Sequence, residues 1–264
     1  MKAGFTMKAL SLAVLGLAGL GFGANAFAAC PSITPATPTP WTSASVTSTY
    51  GSLAISGGSP GQGLNGTSCK MDVSIAAGSP ANVKALVSDD TPANEARYRA
   101  RFYVDLTGYT NFNNAGYQHV VFNAFADTAP AGTSTDEVAI SLVGSGSNPA
   151  VRFLVADAAQ PSKFRTITVP LPNPAGVNRI EFDVSQGASG SFKCWVSAGN
   201  VATSEGSPTP AACAAITVNN SGWSGITFAN LGLFSTTSGF RANMAGKILS
   251  VDEFDSRRST FIGQ

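Results

Sequence analysis

The chain has 264 residues, only 12% of which are charged, and its formal net charge at pH 7 is +1. This composition excludes long solvated helices and coiled coils, which need many Glu, Lys and Arg. It also lacks the basic excess of most nucleic-acid-binding proteins, so we expect no nucleic-acid partner. The 28 Gly, 15 Pro and 44% hydrophobic residues indicate a globular all-β protein with many turns.

The N-terminal residues 1–28 have the pattern of a signal peptide. Lys2 and Lys8 precede an apolar run over residues 9–22, and the sequence AFA at 26–28 fits the small-x-small cleavage rule. The run is short and rich in Gly for a membrane span, and no second apolar segment follows it. We therefore expect a mature chain without a transmembrane segment, secreted or periplasmic, with association to the cell surface left open.

Export decides how the four cysteines are interpreted. An oxidising compartment favours pairing, and Cys30, Cys69, Cys194 and Cys213 permit three connectivities. We favour Cys30–Cys69 and Cys194–Cys213 because each pair is close in sequence, and closing the second loop should contribute about 3 kcal/mol. Lipidation of Cys30 is the less favoured alternative, since it would leave an odd number of cysteines.

A lead segment rich in Pro, Ser and Thr occupies residues 29–49 and precedes a single domain at 50–264. We expect the lead segment to be extended and only locally ordered, apart from Trp41, which should dock onto the domain. In the domain, about a dozen short runs alternate apolar and polar residues between turns. The clearest run, 97–106, places its apolar side chains on one face of a half-buried strand. No run has a helical period, so the pattern predicts a sandwich or barrel.

Three segments carry a resemblance to a known family. They are residues 88–103 (SDDTPANEARYRARFY), residues 180–182 (IEF) with 193–196 (KCWV), and residues 251–258 (VDEFDSRR). In these segments the chain resembles secreted bacterial proteins of the concanavalin A-like, LamG-like kind. The resemblance implies an antiparallel two-sheet jelly-roll β-sandwich whose last strand returns beside the early ones. Lectins, adhesion modules and glycosidases share this fold, so the resemblance alone does not determine a function.

The sequence gives weak support for catalysis. Jelly-roll glucanases carry Glu-x-Asp-x-x-Glu on one strand; Glu253 and Asp255 begin this pattern, but Arg258 stands where the second Glu should be. A retaining glycosidase needs two carboxyl groups about 5 Å apart, which this strand does not supply. The single histidine, His119, has no Gly-x-Ser-x-Gly motif to act with. We therefore predict no catalytic residues and favour a protein that is not an enzyme.

A calcium ion is the one cofactor that the sequence leaves open. Hard cations need several oxygens converging on one point. Asp89, Asp90 and Glu95 form the first candidate set, and the acids at 127, 136 and 137 form a second. Neither set has a diagnostic spacing, and Asp89 and Asp90 could instead simply form a turn.

Aromatic side chains in polar loops are the usual means of binding a sugar, because the C–H faces of the sugar stack on flat apolar groups. Residues 107–118 offer Tyr109, Phe112 and Tyr117 beside Asn114, and the loop at 219–225 offers Trp223. Loops on a rigid sandwich are where binding residues tend to lie, so we predict these five as ligand-binding residues. The competing interpretation is that the aromatic rings close the ends of the core.

Three arginines, Arg97, Arg99 and Arg101, form a row on the outward face of the predicted strand, about 7 Å apart in succession. They could bind a sulfated or uronic polymer. They could equally be matched by acids across the sheet, and Glu181 and Asp183 on another strand are available for this.

These observations favour an exported, non-catalytic β-sandwich protein that binds an extracellular or cell-surface glycan. One alternative is a structural or surface-assembly protein without a small ligand. A divergent polysaccharide-degrading enzyme is the less favoured alternative. The sequence does not determine the ligand or the oligomeric state.

Overall fold

The computed structural model describes residues 30–263 apart from 31, 39, 147 and 200, so the predicted signal peptide at 1–28 lies outside the described residues. The described strands are, in chain order, β1 (Ser43–Val46), β2 (Gly51–Gly57), β3 (Cys69–Ile75), β4 (Lys84–Asp89), β5 (Arg97–Asp105), β6 (Gln118–Ala126), β7 (Asp136–Val143), β8 (Ala150–Ala156), β9 (Phe164–Pro170), β10 (Val177–Ser185), β11 (Gly190–Ala198), β12 (Ile216–Val218), β13 (Ile226–Phe234) and β14 (Leu249–Arg257). One helix, α1 (Ser238–Asn243), and two short 3-10 turns, Leu64–Gly66 and Ala211–Cys213, complete the described elements.

The strands form two antiparallel sheets of seven strands each. Sheet I has the order β1-β4-β13-β6-β7-β8-β9, and sheet II has the order β12-β11-β10-β5-β14-β3-β2. The last strand, β14, lies between β5 and β3, as the resemblance implied. The prediction of an all-β, two-sheet jelly-roll sandwich is confirmed.

The core lies between the two sheets and follows from the alternation along each strand. In β5, Tyr98, Ala100 and Phe102 are fully buried on the inward side. A series of phenylalanine rings joins the two sheets: Phe102 packs on Phe122 of sheet I with ring centroids 5.5 Å apart, and Phe122 packs on Phe182 at 5.4 Å. Such aromatic pairs add to the stabilisation that burial of their apolar area provides.

Two disulfide bonds join the cysteines in the favoured connectivity, Cys30–Cys69 and Cys194–Cys213. Cys194 points into the core from β11, as its place in the alternation predicted. The bond to Cys213 ties the long loop after β11 back to sheet II. Disulfides fit an oxidising compartment, and none of the helices among the described residues is long and apolar enough to cross a membrane.

Two elements differ from the sequence prediction. The lead segment is not merely extended, because residues 43–46 form β1 and pair with β4 at the edge of sheet I. Trp41 docks as expected, with its ring 5.1 Å from that of Phe254. Helix α1 was not predicted, since six residues are too few to show a helical period. It begins after Thr237, whose side chain accepts a hydrogen bond from Phe240 N.

Candidate functional site

The predicted binding loop 107–118 holds its aromatic rings inside the molecule. Tyr109 and Phe112 are each only 4% exposed. The Tyr109 hydroxyl lies 3.0 Å from His119 Nε2, and the Phe112 ring contacts Phe240 of α1 edge-on. The rings therefore close one end of the core, which is the competing interpretation that the sequence left open, and ligand binding by these two residues stays a prediction.

Asn114 and Tyr117, the other two predicted residues of this loop, are at least partly exposed, but their side chains are held in place. Asn114 is exposed, and its Oδ1 accepts a hydrogen bond from Gly116 N at 2.8 Å, which holds the turn. Tyr117 is half-buried against the core. The loop also lines an open depression of about 480 Å³, so sugar binding by its polar edge stays a prediction.

Trp223, the predicted stacking residue of the loop 219–225, is also buried. It is 3% exposed, its Nε1 donates to the Ser134 carbonyl at 3.0 Å, and its ring packs on Phe164. A ring held this way fastens the loop to the sandwich and is not open to a ligand.

The three acids of the first candidate calcium set do not converge. Asp89 Oδ1 accepts from Thr91 N at 3.0 Å, and Asp90 Oδ1 accepts from the hydroxyl of Thr42 at 2.6 Å. Glu95 instead pairs with Arg258 at 2.7 Å, and this hydrogen bond lowers the pKa of Glu95. Among residues 30–263 outside the four gaps, no group of three His, Cys, Asp or Glu side chains could hold a metal ion. Calcium binding therefore stays a prediction without a structural site.

The second set of acids is also dispersed. Asp127 accepts from the Thr227 hydroxyl at 2.7 Å. Asp136 lies on the outward side of sheet I, where Asn123 Nδ2 donates to it at 2.8 Å. Glu137 is buried, so these carboxylates serve separate local roles.

The outward face of sheet II carries three rows of side chains that cross β11, β10, β5 and β14, and we call it the charged face. The rows are Ser197, Arg179, Tyr103 and Asp252; Trp195, Glu181, Arg101 and Asp255; and Lys193, Asp183, Arg99 and Arg257.

The arginine row of β5 is matched by acids on β10. Arg97 Nη2 and Arg99 Nη2 each lie 2.9 Å from Asp183 Oδ2, and Arg101 lies opposite Glu181 in the register. Burial alone would raise the pKa of Asp183, but the hydrogen bond from Arg97 and the charge of Arg99 outweigh it, so the pKa lies below its ordinary value. Of the two interpretations left open by the sequence, the structure shows cross-strand pairing.

Two segments cover the charged face. Arg179 is fully buried although it points away from the core, because its Nη2 donates to the Val201 carbonyl at 2.9 Å in the loop 201–209. The segment 259–263 lies over the central row. The centre of the charged face is therefore covered, whereas Arg257 at its edge is exposed.

The outward face of sheet I is open. Where β4, β13 and β6 lie side by side, the rings of Phe125, Phe228 and Phe234 and the amides of Asn123 and Asn230 surround a groove of about 490 Å³. We call it the Phe–Asn groove. Its other lining residues are Ser45, Lys84, Leu86, Ser88, Asp136 and Ser235.

The groove has a local symmetry that follows from antiparallel pairing. Phe125 lies opposite Phe228, and Asn123 lies opposite Asn230. The two phenylalanine rings are half-buried, with centroids 5.8 Å apart and planes inclined at 43°.

The amides in the groove are only partly satisfied. Asn123 is 6% exposed, its Nδ2 donates to Asp136, and its Oδ1 has no donor among the described residues. Ser88 Oγ donates to Asn230 Oδ1 at 2.7 Å. The groove thus holds an acceptor that lacks its hydrogen bond, which is costly for a buried polar atom.

The groove was not predicted, because the aromatic residues predicted to bind a ligand all lie in loops. A readable signal exists in the tripeptide NAF at 123–125 and its reverse, FAN, at 228–230. With alanine inward, period-two alternation places both phenylalanines and both asparagines outward. The pairing of β6 with β13, which brings the two tripeptides together, is not visible in the sequence.

No protein-family model and no curated protein sequence matches the chain. Similar solved structures include an endo-beta-1,4-glucuronan lyase from the fungus Trichoderma reesei, with a TM-score of 0.54 and 12% identity over 84% of this chain and 92% of that chain. They also include an alginate lyase in complex with an alginate tetrasaccharide, with a TM-score of 0.51 and 8% identity over 82% of this chain and 96% of that chain. At such identities the likeness shows a shared fold alone.

Proposed function

We propose that the protein is an exported, non-catalytic glycan-binding protein whose ligand lies in the Phe–Asn groove. The observation that carries this proposal is the pair of half-buried rings, Phe125 and Phe228, beside two outward amides on an open sheet face. Binding sites for small ligands are concave and mostly apolar, with a few polar groups that fix the orientation, and the groove has this composition.

The rings supply the apolar part of the contact. A sugar presents flat patches of C–H groups, and adjacent tilted rings on β6 and β13 form a shallow surface on which such a patch can rest. Because the rings belong to paired strands of a sheet, their positions are fixed before binding. A preorganised site loses little conformational entropy on binding.

The amides supply orientation. Asn123 Oδ1 is an acceptor without a donor among the described residues, so a sugar hydroxyl that reached it after a small movement of the side chain would satisfy a buried group. Asn230 lies directly across the strand pair and offers a second amide to the same ligand.

The charges favour a neutral glycan bound without catalysis. Of the described residues that line the groove, Lys84 and Asp136 are charged, and their formal charges cancel. Asp136 already accepts hydrogen bonds from Asn123 and Ser134. Glycoside hydrolysis usually needs two carboxyl groups across the scissile bond, and the groove residues offer one.

Two further observations support a glycan as the ligand class. The similar structures named above are a glucuronan lyase and an alginate lyase, so this fold accommodates polysaccharides in other proteins. The predicted signal peptide and the two disulfides fit a protein that meets its ligand outside the cytoplasm.

The test is a glycan microarray with the exported chain, followed by calorimetric titration of the best neutral oligosaccharide. We expect Phe125→Ala and Phe228→Ala each to weaken binding about tenfold, because losing one stacked ring removes about 1.4 kcal/mol. Tyr117→Ala is the matched control: it removes a half-buried aromatic ring from the loop 107–118, outside the groove, and should leave the affinity unchanged.

An array without any bound glycan would contradict the proposal. So would a loss of affinity in Tyr117→Ala with none in the two phenylalanine variants, which would move the site to the loop. Release of reducing ends or unsaturated products from the bound glycan would contradict the non-catalytic part.

A further inference from the structure

We infer that the charged face of sheet II is a second ligand site, for a neutral sugar with adjacent hydroxyls, and that segment 259–263 is a displaceable strap lying in it. This site is separate from the Phe–Asn groove, which lies on the other sheet. The inference rests on how the strap is held and on what its groups imitate.

The strap is attached to the charged face through side chains only. The backbone N–H groups of Ile262 and Gly263 donate to the two carboxylate oxygens of Glu181, each at 3.1 Å. Arg101 Nη1 donates to the Gly263 carbonyl at 3.0 Å, and Arg257 Nη1 donates to the Phe261 carbonyl at 3.2 Å. Among the described residues, no backbone group of the strap bonds to another backbone group. The strap can therefore leave without breaking the ladder of sheet II.

An aromatic contact completes the attachment. The ring of Phe261 lies 5.0 Å from the ring of Trp195 and 6.0 Å from the guanidinium carbon of Arg99. Trp195 itself is fixed, because its Nε1 donates to the Ser204 carbonyl at 2.9 Å. Removing the strap would expose an indole face held in a set orientation.

The contacts with Glu181, Arg101 and Trp195 define the chemistry of a replacement ligand. Two neighbouring hydroxyls can donate to Glu181 as the two backbone N–H groups do, and a sugar oxygen can accept from Arg101 as the Gly263 carbonyl does. The C–H face of the sugar ring can rest on Trp195 in place of Phe261. At the Glu181 position a uronic or sulfated group suits less well, because an anion placed where the two backbone N–H groups now donate would meet the carboxylate of Glu181.

The strap leaves part of the charged face unsatisfied. Arg99 Nε and Nη1 and Arg101 Nε are buried and have no acceptor among the described residues. Buried guanidinium nitrogens without acceptors are costly. A ligand with more oxygens than the strap can therefore compete with it, and the strap then acts as an internal competitor that sets the affinity.

The experiment compares the exported chain with a variant lacking residues 259–264. Both carry Phe228→Ala so that the Phe–Asn groove contributes little. Cellohexaose, laminarihexaose, mannohexaose and an alginate hexamer are titrated by calorimetry. We expect the shortened variant to bind at least one neutral hexamer about tenfold or more tightly than the full chain does. Glu181→Ala should abolish the gain. Asp127→Asn, which removes an exposed carboxylate at the end of β6 in sheet I, away from the charged face, should preserve it.

Equal affinities of the two chains would overturn the inference, as would a gain that survives Glu181→Ala or one confined to the alginate hexamer. Circular dichroism and thermal unfolding establish that the shortened variant is folded.

The full chain gives a second readout that needs no truncation. A saturating neutral hexamer should speed hydrogen exchange at the amides of Ile262 and Gly263, and unchanged or slower exchange would overturn the inference as well.

Discussion

Glu137, on β7, links the stability of the fold to pH. It is only 1% exposed, Asn220 Nδ2 donates to its Oε1 at 2.8 Å, and its Oε2 has no donor among the described residues. Burial raises the pKa of Glu137 from 4.5 to about 8, and the hydrogen bond from Asn220 opposes this only in part. The folded protein therefore keeps a proton here that the unfolded chain releases near pH 4.5.

The substitution Glu137→Gln removes this titration and keeps an oxygen acceptor for Asn220. In the wild type, the stabilisation that comes from protonated Glu137 is fully present below pH 4.5 and is lost as the pH rises through about 8. One proton corresponds to about 1.4 kcal/mol per pH unit, so the variant should gain on the wild type by up to about 5 kcal/mol across this interval. Titrations at other sites occur in both proteins and cancel in the difference.

The assay is urea unfolding of both proteins at half-unit steps from pH 4 to 9. The control is Glu205→Gln, because pairing with Arg99 lowers the pKa of Glu205 and places its titration below 4.5. This control should run parallel to the wild type between pH 5 and 8. A difference between Glu137→Gln and the wild type that stays constant over this range would refute the reasoning, since it would show an ionised Glu137 in the folded protein.

Three further changes test other parts of the structure. Burial lowers the pKa of His119 to about 4, so the contribution of His119 to stability should fall as the pH drops from 6.5 towards 4. The free energy of unfolding of His119→Gln should therefore gain on that of the wild type over this interval in urea unfolding, where the opposite slope from Glu137 is common to both proteins, and a difference that stays constant would contradict the assignment. Replacing Cys194 and Cys213 with Ser should lower the free energy of unfolding by about 3 kcal/mol and speed proteolysis within the loop 201–209. Resistance to proteolysis equal to that of the wild type would show that the disulfide does not hold this loop over the charged face. Glu253 has a φ of 50° inside β14, so Glu253→Gly should raise the free energy of unfolding by about 1 kcal/mol, and a loss would show that its side chain contributes more than its backbone costs.

The sequence predicted the strands well because period-two alternation is a local property. In β5 the alternation places Phe102 inward and Arg101 outward, and both positions are confirmed. The same alternation cannot say whether an outward face meets water. Arg99 is outward yet fully buried, because cover comes from the loop 201–209 and from the strap, which lie about 100 or more residues further along the chain.

The aromatic residues also show that a local sequence pattern does not tell which side chains other elements cover. Tyr109 and Phe112 lie in a polar loop and were therefore predicted to face a ligand, but Phe240 of α1 gives them apolar neighbours and they turn inward. Phe125 and Phe228 lie in predicted strands and were not considered as ligand contacts, but in the described part of the chain both rings line the open groove on sheet I. In both cases the exposure of the rings depends on tertiary packing by distant elements, which the pattern of a single sequence does not contain.

The two faces should fill in a fixed order as ligand is added. The Phe–Asn groove is open, so its affinity carries no opening cost, whereas binding at the charged face must first displace the strap. Side-chain hydrogen bonds contribute about 1 kcal/mol each in net terms, and the strap's breakable contacts are few, so opening should lower the affinity by roughly tenfold to a few hundredfold. A neutral oligosaccharide that fits both sites should then give a two-step isotherm. Removing residues 259–264 should shift only the second step to lower concentration, and Phe228→Ala should shift only the first to higher concentration. If either change moved both steps together, the two faces would be one coupled site, and the separation between the open and the covered face would fail.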